Sequence, residues 1–383
     1  MVSRWLLSVL LVFITSLTSY SQIIQKYDSG YTYREVVDAI CDDPDNMCNY
    51  FKSVGWNDSQ IKQYTYRGMQ GTNVVEFMNW RMVFPLNYDN LRAEGYPIIL
   101  MLHGGGESGR KWGGTTFLPT ENRFDNNGYN VIHGGQAHLN AVNRNPNLPN
   151  AFPGIVIWPQ VSYNGAWESG WDNGNLSQNA RMTAQILEWV IQEYNVDPDR
   201  IAVHGLSNGG KGSWDIAAKR PDLFAAVLPM SGVGSNLGPM AQALVTTPLW
   251  LFQGGNDTNP RAQAAVDWIA GLQQIGGNPR YTLYPNLGHG TWNTAYAEPD
   301  FFSWILEQNK KNIYVYGGDP SICPGGSLNL GFSANMLAYQ WVKDGVDMPG
   351  ANTRFLTTAI NGIGTYKVKY KRRFGPDVWI ESN

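Results

Sequence analysis

Gly205-Leu206-Ser207-Asn208-Gly209 sets a serine between two glycines, after the apolar run Ile201 to Leu206 and before residues that suit a helix. A serine hydroxyl attacks a carbonyl only when a base takes its proton and a carboxylate fixes that base in the right tautomer. Of the five histidines, His289 in Leu287-Gly288-His289-Gly290-Thr291-Trp292 is the candidate base, because it follows a predicted strand and its glycines let the loop fold back. His204 lies in the serine strand and reads as core. His133 and His138 sit in a Gly/Asn-rich stretch, and His103 reads as a support for its own loop. Asp257 in Gln253-Gly254-Gly255-Asn256-Asp257 is the candidate acid, since Asp267 falls on a predicted helix and Asp300 comes after His289, against the order serine, acid, histidine. A solvated turn aspartate is the alternative for Asp257. An ordinary serine in a loop is the alternative for Ser207, since the bare pattern recurs readily in a chain with 42 glycines.

Acyl chemistry through a serine also needs donors for the oxyanion of the tetrahedral intermediate. His103-Gly104-Gly105-Gly106-Glu107-Ser108-Gly109 follows the apolar run Tyr96 to Leu102, and its glycines let backbone amides approach a ligand. The Gly105 amide is expected to join that of Asn208, which opens the next helix. A phosphate-binding loop would need Lys-Ser/Thr after its last glycine, and here Arg110 and Lys111 precede Trp112.

Strands and helices alternate around these motifs. Strands are expected at Val74 to Phe84, Tyr96 to Leu102, Gly154 to Gln160, Ile201 to Leu206, Phe224 to Met230, Pro248 to Gln253 and Arg280 to Tyr284. Helices are expected at Ser177 to Tyr194, Asn208 to Lys219, Arg261 to Ile275 and Pro299 to Glu307. This alternation predicts a largely parallel sheet covered on both faces, with the site at the carboxyl ends of its strands. Trp112 to Pro153 reads as a long insertion beside the site, and residues 22–73 as an N-terminal elaboration with a short helix near Glu35 to Ile40. Trp158, Gln160, Trp167, Trp171 and Trp292 are candidate substrate-lining residues, the tryptophans as flat apolar surface for a sugar or phenolic ring; packing of the loop itself is the plain alternative.

The formal charge is -3, and the basic and acidic residues number 20 and 26 up to Lys310 and 8 and 5 beyond it, so no nucleic-acid partner is expected. Residues 1–21 carry one early charge, Arg4, an apolar run and small residues Ser19 and Ser21, the pattern of a secretory signal. That run is short for a membrane anchor, so an exported protein without one is expected. Cys41 and Cys48 are spaced to close a small disulfide loop and leave Cys323 over; no metal site is expected, because neither has a histidine nearby.

Met101 to Gly109, Gly205 to Gly210, Gly254 to Asp257 and Gly288 to His289 together resemble the α/β-hydrolase superfamily. More narrowly they resemble secreted esterases that include feruloyl esterases, acetyl xylan esterases and polyhydroxybutyrate depolymerases. The resemblance spans Val74 to Gln308. It implies an α/β-hydrolase catalytic domain over residues 22–310, Ser207 as nucleophile, His289 as base and then acid, Asp257 as orienting carboxylate, and no cofactor. It implies feruloyl or acetyl esters of plant polysaccharides as substrates. A serine peptidase, a polyester depolymerase and a non-catalytic carbohydrate binder are the alternatives. Gln253 departs from the pattern, since relatives often carry a histidine there.

From residue 311 to 383 the texture changes to short alternating strands between Gly, Pro and Asn turns. Trp341 on a central strand and Tyr366 at the start of a late one resemble an immunoglobulin-like sandwich, with Val368 where its second cysteine would stand. A spacer or a sugar-binding role is expected of it.

Overall fold

The computed structural model describes residues 31–35, 61–70, 72–108, 131–161, 167, 175–317, 327–359 and 364–383. The signal-like residues 1–21, the three cysteines, most of the expected insertion before residue 131 and the expected helix beyond Glu35 lie outside them. Glu35 itself ends a strand.

One sheet organises the larger unit. It comprises β1 (Tyr31–Glu35), β2 (Ile61–Gln70), β3 (Asn73–Val83), β4 (Tyr96–Leu102), β5 (Ile155–Pro159), β6 (Val196–Leu206), β7 (Ala226–Met230), β8 (Trp250–Gly254) and β9 (Arg280–Tyr284). Their order is β1-β2-β3-β5-β4-β6-β7-β8-β9. The strands from β5 to β9 run parallel, while β1, β2 and β3 extend the sheet by antiparallel pairing. All residues of β4, β5, β7 and β8 are buried, as their near-continuous apolar sequences require of strands covered on both faces.

Alternate side chains of the central strands feed two cores, with Ile98, Leu100 and Leu102 on one face and Ile99 and Met101 on the other. The first face carries α2 (Gln178–Glu193), α3 (Asn208–Lys219), α4 (Leu237–Leu244) and α5 (Ala262–Gln274). The second carries α1 (Gln136–Val142), α6 (Trp292–Tyr296) and α7 (Phe301–Glu307). Helix α4 carries no sequence signal strong enough to predict it. Gly238 and Pro239 open it, and a proline is tolerated in a first turn where its missing N–H has no acceptor.

β1 and β2 fall where an irregular elaboration was expected. Their polar residues account for the difference: Gln63 and Thr65 are buried in β2 and pair across the sheet with Arg81 and Asn79 of β3. Arg81 Nε donates to Gln63 Oε1 at 3.0 Å, and Thr65 Oγ1 to Asn79 Oδ1 at 2.8 Å. Polar residues that satisfy one another across a buried ladder break the apolar alternation that marks a strand.

The C-terminal unit contains β10 (Tyr314–Val315), β11 (Ser327–Gly331), β12 (Ala338–Lys343), β13 (Val346–Asp347), β14 (Phe355–Ala359), β15 (Tyr366–Lys371) and β16 (Ile380–Glu381). They form two antiparallel sheets, β10-β11-β14 and β13-β12-β15-β16. Leu330, Phe332, Trp341, Val368 and Tyr370 make the core between them. Trp341 faces Val368 in register. Asp344 and Gly345, with φ of 50° and 81°, turn β12 into β13, as the twist of a two-residue hairpin demands.

The two units meet at the amino ends of the parallel strands. Lys310 is buried and donates from Nζ to the Asp222 carbonyl at 2.5 Å. Arg372 pairs with Asp199, Tyr370 Oη donates to Asp199 Oδ2 at 3.0 Å, and Asn335 Nδ2 donates to Asp222 Oδ1 at 2.9 Å. Phe374 reaches back into the core of the larger unit.

Candidate active site

Strand β6 ends at Leu206 and α3 begins at Asn208, so the single residue between them makes the whole turn. Ser207 makes it at φ 56° and ψ -113°, a conformation that costs a non-glycine residue on the order of 1–3 kcal/mol. The flanking glycines are demanded by contact. A Cβ on Gly205 would sit 2.2 Å from the Gly209 carbonyl oxygen, and one on Gly209 would sit 1.9 Å from that of Leu102 at the end of β4. The Ser207 amide donates to the Met230 carbonyl at 2.8 Å, tying the turn to β7. Strain is thereby held by backbone on three sides.

His289 and Asp257 arrive from the loops after β9 and β8. A Cβ on Gly254 would lie 2.0 Å from the Gly288 carbonyl oxygen, so only a glycine there lets the two loops pass. The amides of Gly255 and Asn256 donate to the carbonyls of Tyr284 and Leu287 and lace the loops together. Ser207 Oγ lies 2.8 Å from His289 Nε2, and His289 Nδ1 lies 2.9 Å from Asp257 Oδ2. With Nδ1–H donating to the carboxylate, Nε2 is free to accept the serine proton. The Asp257 side chain is 2% exposed and that of His289 40%. Asp257 also accepts from the Asn259 amide and from Gln253 Nε2, both at 2.9 Å. Gln253, the departure noted in the sequence, thus supplies a donor to the same carboxylate oxygen as the histidine.

The glycine loop runs from β4 into a short 3-10 turn, Gly105–Glu107. A Cβ on Gly105 would meet Asn208 Nδ2 at 3.0 Å, so the loop and the start of α3 lie against each other. As the first residue of α3, Asn208 has an amide with no intrahelical acceptor. His103 fixes the loop from below. The Val161 amide donates to its Nε2 at 2.9 Å, which puts its own proton on Nδ1, donated to the Gly104 carbonyl at 2.6 Å. Burial lowers its pKa and keeps the ring neutral.

The other titratable candidates fall elsewhere. His204 and His138 are fully buried and stacked, with Nε2 atoms 2.6 Å apart. His138 Nδ1 donates to the Gly134 carbonyl, so its Nε2 accepts from His204 Nε2. Asp300 pairs with Arg280. Among the described residues no group of three or more His, Cys, Asp or Glu could hold a metal ion, and no helix is long and apolar enough to cross a membrane.

The expected substrate-lining residues divide. Trp292 is half-buried and stands edge-on to His289, ring centres 6.1 Å apart. Trp158 is fully buried in the core under the sheet, its Nε1 on Met101 Sδ, and offers a substrate no surface. Gln160 is 3% exposed and donates from Nε2 to the Glu107 carbonyl. Trp167 is 2% exposed, packs on Gly212 of α3 and donates to the His103 carbonyl at 3.0 Å. Gln160 and Trp167 support the glycine loop from inside, and Trp158 belongs to the core. Trp171 lies outside the described residues. Glu107 and His133, which nothing in the sequence paired, meet side by side behind the glycine loop.

Residues 162–244, which include Ser207, match the model of the Prolyl oligopeptidase family. The chain is 28% identical over 151 residues to a probable acetylxylan esterase A of Aspergillus flavus, covering 37% of this chain and 46% of that protein. It is 35% identical over 86 residues to acetylxylan esterase A of Emericella nidulans, covering 21% and 27%. The chain therefore spans less than half the length of these two curated relatives. Among solved structures, a thermostable esterase superposes with a TM-score of 0.52 at 24% identity, over 66% of this chain and 64% of the other. With the sheet order and crossovers above, this likeness gives the larger unit an α/β-hydrolase fold.

Proposed function

We propose that this chain is a serine carboxylic ester hydrolase that works through an acyl-enzyme, without a cofactor, on ester substituents of polysaccharides. The observation that carries the reading is the continuous hydrogen-bonded row from Asp257 through His289 to Ser207, with Ser207 at the N-cap of the helix Asn208–Lys219. Ser207 Oγ attacks the ester carbonyl carbon as its proton passes to His289 Nε2, and the carbonyl electron pair becomes an oxyanion held by the amides of Gly105 and Asn208. Collapse breaks the bond to the alkoxy oxygen, which leaves with the proton from His289. Water then adds to the acyl-enzyme, gives its proton to His289, and the carboxylic acid departs as Ser207 Oγ is reprotonated.

Relatives named acetylxylan esterase favour acetyl over feruloyl as the acyl group. Contact of Trp292 with the alcohol is part of this reading, supported by its half-buried position edge-on to His289. A peptidase is the second reading, favoured by the match to the Prolyl oligopeptidase family. Residues 1–21 direct export, and residues 311–383 form an immunoglobulin-like module, a reading supported by two facing antiparallel sheets around Trp341. The Arg372–Asp199 ion pair and the hydrogen bonds from Tyr370 and Asn335 across the seam favour a module fixed to residues 22–310 over a free spacer.

Acetate release from acetylated xylan, run beside methyl ferulate and a proline anilide, tests the reading. Acetate release by the wild type, lost in Ser207→Ala, is the expected result. Cleavage of the anilide alone would replace the esterase with a peptidase.

A further inference from the structure

Glu107 and His133 take no part in the acyl-enzyme steps, yet they sit directly behind the loop that supplies one oxyanion donor. Glu107 ends the 3-10 turn and is 5% exposed. Its Oε1 accepts from His133 Nδ1. Its Oε2 is buried without a hydrogen-bond partner among the described residues and lies 2.9 Å from where a Cβ on Gly104 would be, one residue before the Gly105 amide. His133 reaches it through a wide turn, Val131–Gly135, in which Gly134 takes φ 123°. That bend needs glycine, since a Cβ there would also lie 2.7 Å from Tyr296 Oη.

A carboxylate so placed is an obstacle to catalysis unless its charge is cancelled, because an oxyanion is about to form on the far side of the same short turn. We propose that Glu107 and His133 are positioning residues for the oxyanion loop: the pair pins the glycine turn from behind, and the imidazolium cancels the carboxylate charge that would otherwise oppose the oxyanion. The proposal rests on the ester hydrolase reading. It also makes turnover sensitive to the proton on His133.

Among the described residues, the titratable groups facing Glu107 are His103 from the end of β4, Tyr296 from α6 and His133 from the turn. Burial holds His103 neutral, and burial with the Glu107 charge beside it pushes the Tyr296 phenol up so that it keeps its proton. Burial opposes ionisation of Glu107, but the hydrogen bond and charge of His133 act against it, and its carboxyl stays below the ordinary value. The Glu107 hydrogen bond raises His133 against its own partial burial. The pair is thus carboxylate and imidazolium at pH 6. As pH rises through the raised His133 value, the proton leaves and Glu107 stays charged behind the loop.

The test is a charge cycle on 4-nitrophenyl acetate, with kcat and KM measured from about pH 5 to 9 and folding checked by thermal unfolding. His133→Gln strands the carboxylate and is expected to lower kcat roughly ten- to a hundredfold with KM within about twofold. Glu107→Gln/His133→Gln removes both charges and is expected to recover most of that loss. His133→Lys keeps the positive charge, holds kcat near wild type and extends it to higher pH, and it also serves if the glutamine variant does not fold. A purely structural role predicts the opposite ranking, with the double variant no better than His133→Gln. That ranking, or an unchanged pH profile in His133→Gln, would overturn the proposal while the wild type still turns over. Absence of wild-type turnover would remove the esterase reading and this proposal together.

Discussion

The two ends of the parallel strands each bury carboxylates, and they differ in the partners given to them. At the carboxyl ends, Asp257 faces His289, a half-open ring whose other nitrogen lies within hydrogen-bond reach of Ser207. At the amino ends, Asp199 and Asp222 have fully buried side chains and face Arg372, Arg220 and Lys310. The two guanidiniums keep their charge and fix geometry, while burial brings the Lys310 ammonium down to about 8. A partner that titrates gives up some of that hold and gains a proton pathway. The backbones differ in the same sense, with a strained serine packed between glycines at one end and ordinary conformations at the strand starts of the other.

Asp257→Asn should break this contrast most severely. It leaves the amide in place but no carboxylate to orient and offset the imidazolium, and kcat is expected to fall about 10⁴-fold while the fold persists by circular dichroism. Lys310→Met should do the reverse. Leaving Asp199 and Asp222 short of a cation in a buried seam is expected to cost about 3–5 kcal/mol in denaturant unfolding, with kcat per titrated site unchanged.

The seam should also show in acid. Burial opposes ionisation of both aspartates, yet Lys310 and Arg372 hold Asp199, and Arg220 and Lys310 hold Asp222, below the ordinary value of 3.8. Groups with depressed native values contribute stability above their unfolded pKa and lose it as pH falls through the native one. Unfolding free energy is therefore expected to fall below about pH 4, and less steeply in Arg372→Met. The smallest effect is expected for Gln253→Leu, which removes one of three donors to Asp257. A loss of roughly tenfold in kcat, with about 1 kcal/mol of stability, would place Gln253 as a support of the acid.

The same contrast explains what could be read in advance. The row of Ser207, Asp257 and His289 was legible because each residue sits in a short glycine-framed stretch after an apolar strand, and the glycines answer local backbone collisions. The central parallel strands β4, β5, β7 and β8 were legible because burial on both faces leaves a near-continuous apolar run. The seam was not. Asp199, Asp222 and Arg372 look like ordinary surface charges until the second unit covers them, and 171 residues separate Asp199 from Tyr370. Trp158 and Trp167 were misplaced for a related reason, since a tryptophan reads the same in a core as in a cleft. Glu107 stood inside a motif already singled out, but its partner His133 comes from a turn 26 residues later.

The central claim is a covalent intermediate on Ser207, and rapid-quench intact mass spectrometry during turnover of 4-nitrophenyl acetate tests it most directly. The account predicts one acetyl group per chain, mapped by peptide digestion to Ser207 and absent from Ser207→Ala. Turnover with the acetyl group on another residue, or undiminished turnover in Ser207→Ala, would contradict it.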